Sequence, residues 1–209
     1  MRKILPLFIA VCALLAVVLQ LDLMLDKSAQ AFTETAIRFF SFFTILTNSL
    51  VAGYFLYISD KILRQKNRQP YNRSTLTAIT VYITIVGLVY QLLLRHMWQP
   101  TGLQKIVDEM LHSLNPALVI IYWLLNRKAC VLKYSQIGFW LIYPLAYLAY
   151  VLIRGHFSGF YPYPFLDVTS IGMQGVIVNS IGMTVLFIVI SMLFVWGARL
   201  SVKKTDTGR

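Results

Sequence analysis

Residues 174–196 read QGVIVNSIGMTVLFIVISMLFVW, a run that contains no Asp, Glu, Lys or Arg. At about 1.5 Å per residue, a helix of this length crosses the ~30 Å hydrocarbon core of a bilayer. The whole chain has the same character, because 58% of its 209 residues are hydrophobic and only 13% are charged. Soluble domains contain about a quarter of charged residues. The sequence therefore predicts a membrane protein and argues against a water-soluble domain.

Apolar segments of similar length recur along the whole chain, with short polar connections and no internal repeat. Each is about long enough for one transmembrane helix. The predicted fold is therefore all-α, a single six-helix transmembrane domain over residues 1–209. The predicted spans cover about 4–21, 35–58, 74–94, 106–125, 137–153 and 174–196.

The basic residues are unevenly distributed between the predicted loops. With the N-terminus in the cytoplasm, fourteen of the 19 Lys and Arg residues flank the cytoplasmic side, and five fall on the other side or in a span. Cytoplasmic loops of membrane proteins carry this excess of positive charge. We therefore expect both termini in the cytoplasm. The net charge of +11 is then a topology signal, and nucleic acid is not an expected partner.

The N-terminus resembles a secretory signal, because Arg2-Lys3 precedes an apolar run and Ala29-Gln30-Ala31 looks like a cleavage site. The apolar run is too long for a signal, and Ala31 lies about ten residues beyond its end. We expect this segment to be retained as the first membrane helix.

Metal or cofactor binding is not expected. The two cysteines, Cys12 and Cys130, lack CxxC spacing and lie in different predicted environments, a span and a cytoplasmic loop. His96, His112 and His156 lack HxH or HxxxH partners.

Three of the predicted spans carry polar stripes, which lipid would penalise unless they face the inside of a bundle. Side chains three, four or seven residues apart share a helix face. Ser and Thr in such stripes also commonly bond to the carbonyl four residues earlier. The stripes consist of Ser41, Thr44 and Asn48 in span two, Thr77, Thr80, Thr84 and Gln91 in span three, and Asp108, His112 and Asn115 in span four.

Each stripe has two possible explanations, a functional site or packing between helices, and the favoured one differs between stripes. For span three, packing is favoured over a site. His112 fits equally well as a functional group or as a hydrogen-bonding partner between helices. Arg38, one turn inside span two, is interpreted as structural, either paired with Glu34 four residues earlier or extended towards the membrane surface.

The predicted loop between spans five and six reads RGHFSGFYPYPFLD, residues 154–167. Its aromatic side chains suit the membrane interface, where the polar end of an amphipathic ring remains hydrated. The loop is either an anchoring belt or a re-entrant lid over the polar stripes.

Three sequence elements together resemble a known family. Residues 156–167 are similar to the His-x-[ST]-Gly-x-Trp-x-Tyr-Pro-Phe-Leu-Glu stretch of the animal androgen-induced and androgen-dependent TFPI-regulating membrane proteins, which also have six predicted spans. Phe42-Phe43-Thr44 resembles their [FY]-Leu-Thr element, and His112 followed by Pro116 resembles their His-x-x-x-x-Pro element. The elements occur in the same order, and the resemblance runs from about Arg38 to the end of span six.

The resemblance implies a threonine hydrolase inside the bilayer that cleaves fatty acid esters of hydroxy fatty acids. By position, Thr44 would be its nucleophile and His112 its base. Two positions differ: Pro116 is one residue nearer to the histidine, and Asn48 stands near an acidic residue of the animal proteins. Six-span bacterial members share the Phe-Thr-Ile-x-[ST]-Asn and Tyr-Pro-Tyr-Pro-Phe-Leu-Asp elements, which implies a multi-pass protein of the bacterial inner membrane.

The spacing of the residues is compatible with this chemistry. Thr44 and His112 are both predicted in the outer half of the membrane, about 9 to 15 Å deep. A threonine hydroxyl needs an adjacent base, and a third group usually orients that base. Asp108 is the candidate for orienting His112. Asn48, or the span-three threonines and Gln91, are the candidates for binding an oxyanion. The further predicted pocket residues are Ser41, His156, Tyr163 and Asp167.

Two other functions remain open. A non-catalytic lipid-binding or assembly protein would need the same pocket without a base. A small-solute transporter is less favoured, because paired mid-span Gly or Pro breaks are not evident. The expected partners are membrane lipids or fatty acyl esters, and the sequence does not identify a protein partner.

Overall fold

A computed structural model describes residues 4–64, 72–127 and 132–206, with side chains through Ser201. Within these ranges the chain is helical and forms no β-strand. Cys130 lies outside the described residues. The α-helices are α1 Leu5–Lys27, α2 Phe32–Phe39, α3 Phe43–Arg64, α4 Arg73–Val89, α5 Gly102–Glu109, α6 Asn115–Asn126, α7 Ile137–Trp140, α8 Ile142–Ser158 and α9 Val168–Asp206.

Two π-helical turns extend these helices. Tyr90–Leu94 continues α4, and Met110–Leu114 joins α5 directly to α6. Short 3₁₀ turns precede α7 and α9, at Tyr134–Gln136 and Pro164–Leu166. Near its start α9 is interrupted at Gly172, whose φ of +70° favours glycine.

The helices fit a multi-pass membrane protein. In the described part of the chain, four helical segments are long and apolar enough to cross a membrane, and the bent pair α2 and α3 makes a fifth if it counts as one span. The predicted fourth span lies in the helical run of α5 and α6, which is not among these candidates. The four segments are Leu5–Lys27, Arg73–Leu94, Tyr134–Ser158 and Val168–Ser201.

The second predicted span is broken into two helices, so the expectation that Ser41, Thr44 and Asn48 lie on one face of a single helix was wrong. The axes of α2 and α3 differ by 78° across Phe40 to Phe42. The Ser41 hydroxyl donates to the Ile37 carbonyl at 2.8 Å, and the Tyr147 hydroxyl of α8 donates to the Ser41 carbonyl at 2.8 Å. Because a neighbouring helix satisfies a carbonyl that α3 does not use, the break is tolerated without proline or glycine.

The predicted loop 154–167 is also shorter than expected. Its first five residues form the last turns of α8, which ends before Gly159 in the left-handed conformation, φ +67°. Only 159–167 is non-α-helical, and we call residues 160–167 the docking segment.

The helices pack around α3 and α4. α1 lies along α3, and α4 contacts α3, α6 and α9. Ala10, Ala13 and Ala16 are fully buried and let α1 approach closely. The span-three stripe packs as interpreted: Thr77, Thr80 and Thr84 each donate to the carbonyl four residues earlier.

Candidate active site

The break before α3 separates the start of this helix from α2, and Thr44 is its second residue. Thr44 is 8% exposed, and its Oγ1 lies 3.3 Å from His112 Nε2. A first-turn N–H has no carbonyl partner within its own helix, and the helix dipole is positive at this end. The structure thus brings together the two residues predicted as nucleophile and base.

His112 is held in one orientation by Asp108. Its Nδ1 lies 2.9 Å from the Asp108 backbone oxygen and 3.3 Å from Asp108 Oδ1. Because a carbonyl oxygen only accepts, Nδ1 of the neutral ring carries the hydrogen, and the lone pair of Nε2 faces Thr44. The predicted orienting role of Asp108 is therefore geometrically possible within one helical turn.

Tyr90 completes this arrangement and was not among the predicted residues. Its ring stacks on His112 with centroids 4.1 Å apart, and its hydroxyl donates to Asp108 Oδ2. Tyr90 begins one π-helical turn, and His112 lies in the middle of the other. Such turns shift side chains out of α-helical register and often mark functional sites. A tyrosine in an apolar span gave no sequence signal for this contact.

Tyr163 approaches Thr44 from the docking segment. Its Oη lies 3.4 Å from both Thr44 N and Thr44 Oγ1. The ring is stacked on Phe165 at 5.2 Å and meets Phe42 edge-on at 5.9 Å. This predicted pocket residue is therefore part of the site.

A charged cluster holds the docking segment against α2 and α8. Glu34 accepts from Arg38 at 2.6 Å and from Arg154 at 3.2 Å. Both guanidinium groups lie over the Phe160 ring, at 4.8 and 5.0 Å. The Arg38–Glu34 pair was one of the two structural interpretations, and the position of the segment agrees with a lid.

Two cavities meet at Thr44. The larger, about 630 Å³, is bordered by Tyr90, Asp108, His112 and Tyr163, and its wall also carries Lys27 and Arg38. The smaller, about 80 Å³, lies among apolar side chains of α3, α4, α8 and α9. Thr44, Leu94 and Tyr163 line both cavities. A group bound at Thr44 could extend into an apolar chamber on one side and a more polar one on the other.

Asn48 does not have the predicted role of oxyanion donor. Its Nδ2 donates to the Thr44 and Leu111 carbonyls, at 2.9 and 3.3 Å, so both hydrogens are engaged. Its Oδ1 accepts from Asn115 at 2.8 Å. Asn48 is fully buried and ties α3 to the helix that carries His112.

Four other predicted residues lie outside the two cavity walls. Gln91 donates to Ser113 at 2.8 Å and accepts from Arg95, so the structure does not bring it to the expected oxyanion position. Ser41 is used at the helix break. His156 is exposed beside Phe157, because it falls on the outer face of α8.

The fourth of these residues, Asp167, caps α9. Its carboxylate accepts from Thr169 N at 2.9 Å, Thr169 Oγ1 at 2.6 Å and Ser170 Oγ at 2.7 Å. These side-chain hydrogen bonds, first that of Thr169, lower the pKa of Asp167. The role is structural, as for acidic residues at helix starts generally.

Among the described residues, no three His, Cys, Asp or Glu side chains are grouped to hold a metal ion. Comparisons with protein-family models, with curated proteins and with solved structures found no match. The geometry of this site and the three sequence elements are therefore the observations that bear on function.

Proposed function

We propose that the protein is an integral membrane hydrolase of lipid esters, with Thr44 as nucleophile and His112 as base, and that it belongs to the family it resembles. One observation carries the proposal: Thr44 Oγ1 lies 3.3 Å from His112 Nε2, while the Asp108 backbone oxygen accepts from His112 Nδ1. This is the nucleophile–base–orienting group arrangement of covalent hydrolases.

The reaction follows from these roles. His112 Nε2 takes the Thr44 proton as Oγ1 attacks the ester carbonyl, and the Asp108 carboxylate stabilises the imidazolium. When the tetrahedral intermediate collapses, the C–O bond to the alcohol breaks and His112 protonates the leaving oxygen. Water then attacks the acyl-Thr44 ester with His112 again as base, which releases the acid and regenerates the threonine.

The position of Thr44 at the start of α3 supports its activation. Developing negative charge at Oγ1 lies beside the positive end of a 22-residue helix. Its β-branched side chain has few rotamers, so the hydroxyl is held towards His112 at little entropic cost.

The two cavities support a fatty acid ester of a hydroxy fatty acid as substrate. Each methylene that is buried in the apolar chamber gains about 0.8 kcal/mol. The chamber volume of about 80 Å³ takes only the part of an acyl chain next to the ester carbonyl. The larger chamber would hold the hydroxy acid, whose free carboxylate matches Lys27 and Arg38 on its wall. Arg38 also pairs with Glu34, so Lys27 is the main expected partner.

The membrane arrangement is proposed together with the function. The run of α5 and α6 is the fourth of six spans, both termini are cytoplasmic, and the protein lies in the bacterial inner membrane. Single cysteines at Arg64 and Ser158, in a chain without Cys12 and Cys130, should be labelled from opposite sides by an impermeant maleimide. Labelling from the same side would contradict this topology.

The hydrolase is tested with purified protein and p-nitrophenyl esters of increasing chain length. Thr44→Val removes the hydroxyl at nearly constant shape and should abolish turnover, as should His112→Ala. Thr47→Val is the matched control, because Thr47 is also buried on α3 but contacts Tyr143 at 3.1 Å and lines neither cavity. Turnover that persists in Thr44→Val would refute the assignment of Thr44 as the nucleophile.

The second candidate is a non-catalytic lipid-binding protein, which the cavity of about 630 Å³ also favours. It is distinguished by the same variants. A binder retains fatty-ester affinity in Thr44→Val and shows no turnover in the wild type at any chain length.

A further inference from the structure

The Tyr163 hydroxyl lies in the site, but the proton transfers described above do not use it. It is 3.4 Å from both Thr44 N and Thr44 Oγ1. These separations exceed the usual 2.7 to 3.2 Å of protein hydrogen bonds. The N–H and the phenol are therefore only weakly engaged with each other, and both lie at the atom that would attack.

We propose that Tyr163 is a catalytic residue that forms the oxyanion hole together with the backbone N–H of Thr44. The inference rests on the proposed hydrolase. As the Thr44 Oγ1–carbon bond forms, the carbonyl π electrons move to the carbonyl oxygen, and the Thr44 proton moves to His112. The oxyanion then accepts from Tyr163 O–H and Thr44 N–H, and Tyr163 keeps its proton throughout.

Three neighbouring donors are committed to different acceptors. Both amide hydrogens of Asn48 go to backbone carbonyls. The Tyr90 hydroxyl donates to Asp108 and the Tyr147 hydroxyl to the Ser41 carbonyl. Between the Tyr163 and Thr44 hydroxyls either oxygen can donate. When the Thr44 hydroxyl donates to His112, Thr44 Oγ1 is the acceptor for the Tyr163 proton. When Oγ1 becomes bonded to the substrate carbon, that proton is available to the new oxyanion.

The surroundings of Tyr163 fix its hydroxyl before the reaction. The residue is 9% exposed, and Phe165 and Phe42 hold its ring from the face and the edge. A donor that is already oriented stabilises developing charge without reorganisation. Since Tyr163 comes from the docking segment, the site is complete only when that segment lies against α3.

The test compares Tyr163→Phe with Tyr161→Phe, which removes a hydroxyl from the same segment outside both cavities. Removing one oxyanion donor typically lowers kcat by about 10² to 10³. We expect that loss in Tyr163→Phe with KM within about threefold of wild type, and unchanged kinetics in Tyr161→Phe. A trifluoromethyl ketone with the substrate's acyl chain, which forms a hemiketal with Thr44, should lose inhibition by the same factor. The corresponding amide, which binds without reacting, should bind equally to both proteins.

The outcomes separate this inference from the proposed function. Wild-type turnover that Thr44→Val abolishes and Tyr163→Phe leaves within threefold overturns the role of Tyr163 alone. An inactive wild type overturns both. If Tyr163→Phe does not fold, 3-fluorotyrosine at position 163 keeps the ring and strengthens the donor. An unchanged kcat in that protein, at a pH where the phenol is protonated, then overturns the proposal.

Discussion

Replacing Asp108 by asparagine removes the charge that faces the imidazolium but keeps most of the shape. Asp108 Oδ1 lies 3.3 Å from His112 Nδ1, and its side chain is 8% exposed. At an effective dielectric constant of about 20, two unit charges at this distance attract by roughly 5 kcal/mol. That attraction exists only when His112 is charged, so its loss raises the barrier to the intermediate.

The backbone limits the effect. The Asp108 carbonyl oxygen lies 2.9 Å from Nδ1 and remains in Asp108→Asn, so the hydrogen stays on Nδ1 and Nε2 still faces Thr44. The asparagine oxygen can also accept from Nδ1. We therefore expect kcat to fall by about 10² to 10³, less than the roughly 10⁴ that follows when such a substitution also changes the tautomer.

The assay is steady-state ester hydrolysis by purified Asp108→Asn in detergent, with thermal unfolding as a check on folding. Tyr90→Phe should show a smaller loss of kcat, since it leaves the carboxylate in place. Asp108→Asn activity within threefold of wild type would refute the electrostatic role. A loss as large as that of His112→Ala would instead refute the claim that the backbone carbonyl preserves the tautomer.

Three further predictions follow from other parts of the structure. Gly155→Ala would place a Cβ 2.0 Å from the Tyr161 ring. We expect it to lower the free energy of unfolding by about 1 to 3 kcal/mol and to lower activity, measured by thermal unfolding and ester hydrolysis. Gly53→Ala is the control, because a Cβ there meets nothing within 4 Å, and it should change neither stability nor activity. Because the pKa of Asp167 is lowered, its carboxylate stabilises the fold above the ordinary pKa of about 3.9, and this stabilisation is lost as the pH falls through the lower pKa of the folded state. Asp167→Asn should therefore have a lower Tm than wild type at pH 6. Melting curves at decreasing pH should show that this difference in Tm becomes smaller. Lys27→Gln should raise KM about fivefold for a carboxylate-bearing ester, a loss of about 1 kcal/mol, and leave KM for its methyl ester unchanged; equal effects on both substrates would contradict carboxylate binding.

The helical membrane class could be predicted because a bilayer admits few backbone solutions, and long uncharged runs such as 174–196 signal one of them directly. The pairing of Thr44 with His112 was implied by the family resemblance, and the similar predicted depth of the two residues on different spans was compatible with it. The first prediction depends on local composition, and the second on matching sequence elements.

The break before α3 could not be predicted in this way. Residues 40–42 contain no glycine or proline, and the Ser41 carbonyl is satisfied by Tyr147, more than one hundred positions away. The π-helical turns likewise depend on packing between α4 and the His112 helix. Asn48 was assigned to the oxyanion because its side chain is polar and near Thr44, but the backbone carbonyls at the break and at Leu111 use both of its hydrogens.

The most direct test of the account is to identify the residue that forms a covalent bond with an acyl-chain mimic. Purified protein would be treated with a long-chain alkyl fluorophosphonate, digested and sequenced by mass spectrometry. The account predicts an adduct on Thr44 in the wild type and in Thr47→Val, and none in Thr44→Val or His112→Ala. Ester turnover without an adduct on Thr44 would contradict the account. An adduct on another side chain that still forms in Thr44→Val would contradict it as well.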